Sequence, residues 1–199
     1  MFQSPGVYVE DVSASPPSVV EVSTAIPSFL VYTQKQPYTS SGVAIHRVES
    51  MLHFEKVFGG PHITEATVTI EWETLRDSTG ADKSNEKVMR DLSVEQTENP
   101  FLLYYALKHY FTNGGGPCYV VSVGVFPAGK HAKGDPEQLK KGLTELEKED
   151  EPTLIVLTDA ATTLDDEPYY NLVGTALEQC EKLQDRFTIV DVVPGKNDE

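Results

Sequence analysis

Residues 99–123 read Asn-Pro-Phe-Leu-Leu-Tyr-Tyr-Ala-Leu-Lys-His-Tyr-Phe-Thr-Asn-Gly-Gly-Gly-Pro-Cys-Tyr-Val-Val-Ser-Val, and their period changes partway along. Leu103, Tyr104, Leu107, Tyr110 and Phe111 recur at the spacing of one broad helical face. Asn99 is placed to cap that helix and Pro100 to take its first position, where a missing N–H costs nothing. Asn113 and Gly114-Gly115-Gly116 then end it through left-handed conformations. Cys118–Val123 is nearly all apolar, as strands are when helices cover both faces of a parallel sheet. A helix feeding directly into a buried strand is the repeating unit of an α/β fold.

The same alternation continues downstream. Asp135-Pro136 opens a second helix with Leu139, Leu143 and Leu146 facing inward, and Thr153–Thr158 is the next strand. A third helix near Tyr169–Leu183 carries Leu172, Val173, Ala176, Leu177, Cys180 and Leu183 on its apolar side, and Phe187–Val193 closes the series as a strand. Upstream, Ser28–Thr33 and residues 43–48 read as strands. Ser50 caps a short helix bearing Met51, Phe54 and Phe58, which Gly59-Gly60-Pro61 stops. The expected fold class is α/β: a small parallel sheet with flanking helices and right-handed crossovers.

Two segments stand outside this core. Residues 61–98 read as a surface insertion. Within it Thr67–Glu73 alternates strictly, with Val68, Ile70 and Trp72 on one side, and is expected to be a half-buried strand of a β-hairpin. Residues 76–98 carry many charges and are expected to be a mobile surface segment. At the start of the chain, Gly6, Val7, Tyr8, Val9, Glu10 and Val12 form an extended β-arm, with Val7 and Val9 on one side and Tyr8 and Glu10 on the other. It is tethered by Ser13-Ala14-Ser15-Pro16-Pro17, which can neither pack nor coil into a helix. A strand on a loose tether is suited to joining another molecule's sheet. The organisation is therefore an arm and linker over 1–18 and an α/β domain over 19–199. A three-stranded parallel core plus the 28–33 strand is small for the class, so the chain is expected to be the N-terminal portion of a longer protein.

A formal net charge of -15 argues against nucleic acid and anionic membrane as partners. There is no apolar run near the roughly 20 residues that a membrane helix needs, and no basic-then-apolar leader of the secretory type. Cys118 and Cys180 sit in apolar stretches and read as small hydrophobes of a reducing compartment.

Chemistry-bearing candidates are few. Gly114-Gly115-Gly116 follows a helix and precedes a strand, the reverse of a phosphate loop, so a helix cap is expected. Asp159 and Asp191 lie at or near the C-terminal ends of predicted strands, where α/β folds place ligands, and Asp165 and Asp166 sit in a following loop. They could hold Mg²⁺, although solvated loop acids and helix caps explain them in so acidic a chain. His46, His53, His62, His109 and His131 share no metal spacing, and no nucleophile elbow is present. Tyr104, Tyr105 and Tyr110 read as helix packing with polar tips near an interface. No catalytic residue, cofactor or metal is expected.

Three segments in order resemble the contractile-tail sheath proteins of phages, tailocins and extracellular contractile injection systems. The first is Pro5–Glu10, followed by Thr24–Val31. The second is Val48–Gly60, and the third is Leu103–Gly124, with Glu149–Thr153 beyond it. Residues 61–98 match weakly, as an insertion would. The resemblance implies a structural subunit that stacks with copies of itself around an inner tube. Each N-terminal arm adds a strand to a neighbour's sheet, and a baseplate is a further partner. It implies assembly in the bacterial cytoplasm into a phage tail or a released extracellular particle, with no enzyme activity, nucleic-acid contact or membrane insertion. The family's tube-contacting C-terminal region has no counterpart in this sequence. Two alternatives stay open: a Mg²⁺-dependent α/β hydrolase using Asp159 and Asp191, and a baseplate component that caps the sheath.

Overall fold

The computed structural model describes residues 25–64, 66–76, 79–80, 82–96, 99–128 and 133–193. In chain order the elements are β1 (Pro27–Thr33), β2 (Ala44–Val48), α1 (Met51–Phe58), β3 (Ala66–Arg76), β4 (Asp82–Gln96), α2 (Leu103–Thr112), β5 (Cys118–Val125), α3 (Pro136–Leu146), β6 (Leu154–Val156), α4 (Ala160–Thr163), α5 (Asp166–Leu183) and β7 (Phe187–Ile189). Five strands form one sheet in the order β2-β5-β1-β6-β7, and β3 and β4 form a separate antiparallel pair.

The expected α/β class is what the chain adopts, with one departure inside the sheet. β1 runs parallel to β5 and β6, and β6 to β7, but β2 pairs antiparallel with β5, His46 opposite Val120. The reason is the connection. Residues 34–43 are too few for the crossover of roughly a dozen or more residues that a parallel neighbour needs, so the chain folds back instead.

β1 is buried along its whole length because both faces of the sheet are covered. Alternate residues divide between two cores. Leu30 and Tyr32 join Val121, Val123, Leu139, Leu143, Leu146 and Tyr169 on the α3–α5 side. Phe29 and Val31 join Val48, Phe54, Phe58, Leu103, Leu107, Cys118 and Val120 on the α1–α2 side. The result is three layers, helix on sheet on helix.

Local signals explain the starts of α1 and α3. Ser50 Oγ accepts the His53 N–H at 3.2 Å, and Asp135 Oδ1 accepts the Glu137 N–H at 3.0 Å, with Pro136 in the first turn of α3. α2 departs from its expected start. It begins at Leu103, and Asn99 Oδ1 accepts the Phe101 N–H at 3.1 Å, closing a turn ahead of the helix. Phe101 is buried in the α3–α5 core while Leu103 is buried in the α1–α2 core, so the chain must cross the end of the sheet before it can coil. At the other end of α2, only Gly114 takes a left-handed conformation (φ 84°); Asn113 does not (φ -91°).

Three further details differ from the sequence expectation. α5 begins earlier, at Asp166, and β6 and β7 have three residues each. Leu177, expected on the apolar side of α5, points to solvent, while Gln179 is buried and its Nε2 donates to the Leu143 carbonyl at 2.9 Å. α3 lies very close to the sheet at Gly142, where an added Cβ would stand 2.5 Å from Leu30 Cδ1 and Val123 Cγ1.

The hairpin corrects the reading of residues 61–98. Much of the segment expected to be mobile is the long strand β4. Its apolar residues lose strict alternation because Arg90 is an extra residue opposite the Glu71–Trp72 step, so Met89 and Leu92 are three apart yet share a face. β3 is not half-buried: Val68, Ile70 and Trp72 are all exposed, because none of the described residues of the hairpin enters either core.

Candidate interaction surface

Asp159 is the acid with the most distinctive surroundings. It follows β6, is wholly buried, and its Oδ2 accepts the Tyr32 N–H at 2.8 Å. The amides of Leu102 and Leu103, at the start of α2, also face this carboxyl. Burial pushes it up to about 7, against these three N–H groups, which pull it down. The carboxyl therefore ties the end of β1 to the start of α2, the point where the chain crosses between cores. Its remaining oxygen, Oδ1, has no hydrogen-bond partner. A side chain closed off from solvent and held by backbone donors is built to brace the fold, not to present an open coordination position to Mg²⁺.

The other acids do not gather around it. Asp191 is exposed, and its backbone is what the fold uses: Tyr169 Oη donates to the Asp191 carbonyl at 2.8 Å and accepts its N–H at 3.1 Å. Asp165 pairs with Lys133 at 2.7 Å on the surface, and Asp166 lies in the first turn of α5. Among the described residues no three His, Cys, Asp or Glu side chains come together as a metal site. His46 packs edge-on to Phe58, His62 lies against Phe101 and Phe126, and His109 touches Asn113. His53 donates its backbone N–H to the cap of α1, and His131 lies outside the described residues.

The glycine run is a helix cap. The Gly115 N–H donates to the Tyr110 carbonyl at 2.9 Å and the Gly114 N–H to the Phe111 carbonyl at 3.2 Å, so neither is free for a phosphate. Cys118 and Cys180 are both free, in cores on opposite faces of the sheet. Burial pushes the Cys118 thiol up to about 12, which removes its nucleophilic character. Tyr104 Oη donates to Glu55 Oε1 at 2.7 Å, and Tyr110 meets Phe29 edge-on; Tyr105 is exposed beside Tyr104. These contacts pin α2 to α1 and to the sheet.

What the chain leaves open is apolar surface. Phe187 and Ile189 of the edge strand β7 are exposed, as is Val192 beyond it. The hairpin carries a second patch, built from Val68, Ile70 and Trp72 of β3 and Met89, Leu92 and Val94 of β4. Sequence reasoning found the β3 half by its alternation and missed the β4 half, whose signal the bulge hides. It also missed Arg186, whose buried guanidinium donates to the Leu146 and Glu149 carbonyls at 3.3 and 2.9 Å and so closes the C-terminal end of α3. The arm residues Gly6, Val7, Tyr8, Val9, Glu10 and Val12 lie outside the described residues. Among the described residues no helix is long and apolar enough to cross a membrane.

No family model matches the chain, and no curated protein matches it. Among solved structures it is similar to the helical sheath of the anti-feeding prophage, determined by cryo-EM in the contracted state. The two are 22% identical with a TM-score of 0.49, over 98% of this chain and 41% of that one. The chain thus spans less than half the length of the sheath protein it is similar to.

Proposed function

We propose that this chain is the N-terminal portion of a structural subunit of a contractile sheath, joined to its neighbours by strand exchange. The observation that carries the reading is where the resembling segments fall in the fold. Residues 25–31, 48–60 and 103–124 are separated by long stretches of sequence. They supply β1, α1, α2 and β5, and most of their buried side chains fill one core, Phe29, Val31, Val48, Phe54, Phe58, Leu103, Leu107, Cys118 and Val120, while Leu30, Val121 and Val123 reach the other. The weakly matching stretch falls mostly on the hairpin, whose described residues lie outside both cores. A resemblance that gathers on the sheet and the helices of one core, with its gap at an appendage, is the pattern that shared architecture produces.

In this reading the arm at Gly6–Glu10 and Val12 adds a strand to an adjacent subunit's sheet. Each hydrogen bond so formed contributes roughly 0.5–1.5 kcal/mol net, modest singly and large when repeated along a helix of subunits. Residues 10–18, if extended, reach about 30 Å, enough for subunits to rotate and slide while their strands stay paired. Contraction is then a rigid-body repacking around intact links, driven by relaxation of a metastable extended packing without nucleotide. The partners are further sheath subunits, an inner tube and a baseplate, assembled in the bacterial cytoplasm into a phage tail or an extracellular particle. The strong acidity fits a partner surface that is basic.

The test is electron microscopy of the full-length protein, with its tube partner, with and without residues 1–12. Ordered polymers are expected only with the arm present. Polymers of equal length and order from the arm-less protein would refute strand exchange as the link.

A further inference from the structure

We infer that the apolar face of the β3–β4 hairpin is a docking surface for the same hairpin on a second copy of this chain. The face consists of three cross-strand rungs, Val68 opposite Val94, Ile70 opposite Leu92, and Trp72 opposite Met89. All six side chains are between 42% and 59% exposed. The reverse face carries Thr67 opposite Glu95, Thr69 opposite Ser93, Glu71 opposite Asp91 and Glu73 opposite Val88, so it is mainly polar and acidic, with Val88 and Leu75 as isolated apolar residues at one end. An isolated two-stranded hairpin is marginal in water unless one face is packed against something. Among its described residues this one contributes to neither core of its own chain.

Shape and charge together select the occupant. The three rungs run from small to large: two valines, then isoleucine and leucine, then tryptophan and methionine. Suppose two such faces pack with strands antiparallel, about a two-fold axis through the middle rung. Trp72 of each copy then lies over Val68 of the other, and Met89 over Val94, while Ile70 meets Ile70. Large side chains oppose small ones at both ends, so the face is complementary to itself. Its three rungs carry no charge, and the next rung on the same face, Thr74 opposite Lys87, adds only a cation, so two copies of a chain with net charge -15 can meet there without bringing acids into contact, whereas the more acidic reverse faces repel. The acidity also disfavours an anionic bilayer as the occupant.

Six half-exposed apolar side chains amount to on the order of 500 Å², the upper part of what a monomer leaves uncovered in one patch. Two faces would bury on the order of 1,000 Å² in total, the range of weak and transient interfaces. The contact is therefore a weak one and, being two-fold, it joins copies in pairs and does not link successive subunits of a polar stack. It is separate from strand exchange by the arm and can be tested apart from it.

The experiment uses the whole chain, in sedimentation velocity over a concentration series, together with cysteine cross-linking. Association is expected to strengthen as salt screens the repulsion between copies, and Trp72→Glu is expected to weaken it at least tenfold. Because that substitution also alters the hairpin itself, a geometric readout stands beside it. Ile70→Cys should cross-link to its own copy through a short bis-maleimide, and Thr69→Cys, one residue away on the acidic face, should not. The wild-type chain, with Cys118 buried and Cys180 half-buried, serves as the blank. A chain that stays monomeric at every concentration, or one that cross-links equally from positions 69 and 70, overturns the inference. So does loss of association on removing residues 1–18 with the hairpin unchanged, which would assign the apolar face to the arm.

Discussion

Replacing Asp159 by asparagine isolates the energetics of the brace between β1 and α2. The substitution keeps the volume and an acceptor for the Tyr32 N–H, and it removes the ionisable group. Burial lifts the carboxyl from 3.8 to about 7 in the folded state. Above about pH 7 the group is ionised in both folded and unfolded chains, and the fold bears the full cost of a buried charge. Between 3.8 and about 7 the folded chain binds a proton that the unfolded chain does not, so this group's contribution to stability rises as pH falls through that window. Below 3.8 both states are protonated and the contribution is constant. A shift of about three units corresponds to about 4 kcal/mol across the window. Between pH 8 and pH 5 the wild type should gain about 3 kcal/mol relative to Asp159→Asn. Urea denaturation of both proteins at the two pH values measures this difference, and the comparison cancels the general relief of repulsion among the other acids. A difference constant to within about half a kcal/mol would mean that the three backbone N–H groups offset burial completely. A difference of the opposite sign would mean that they prevail over it.

Two further outcomes follow from packing. Gly142→Ala places a methyl 2.5 Å from Leu30 Cδ1 and Val123 Cγ1. It should lower stability by about 1–3 kcal/mol in a denaturant titration, as overpacking does; an unchanged midpoint would show that α3 is free to lift off the sheet. Cys118, wholly buried with its thiol held at about 12, should react with a disulfide reagent only as fast as the protein unfolds, and well after Cys180. Modification of Cys118 within seconds in native buffer contradicts the buried placement.

Local pattern carried the layered core. The helical spacing of Leu139, Leu143 and Leu146 and the unbroken apolar run Cys118–Val123 name their elements directly, because each residue's neighbours along the chain determine the period. Caps at Ser50 and Asp135 are equally local, since donor and acceptor lie within three residues. Features that depend on residues far apart were not legible in this way. The antiparallel course of β2 is decided by which strand it meets. The late start of α2 is decided by the burial of Phe101 on the far side of the sheet. The contact of Gly142 with Leu30 and Val123, the Asp159 link to Tyr32 and the Arg186 cap on α3 join residues that sequence order keeps apart. The hairpin shows the division most clearly. The alternation of Val68, Ile70 and Trp72 marks a strand with one apolar face. Only pairing across the bulge at Arg90 brings Met89, Leu92 and Val94 onto that same face, and only the packing of the whole chain leaves it uncovered. Period is a property of neighbours along the chain, whereas register and exposure depend on everything that packs around it.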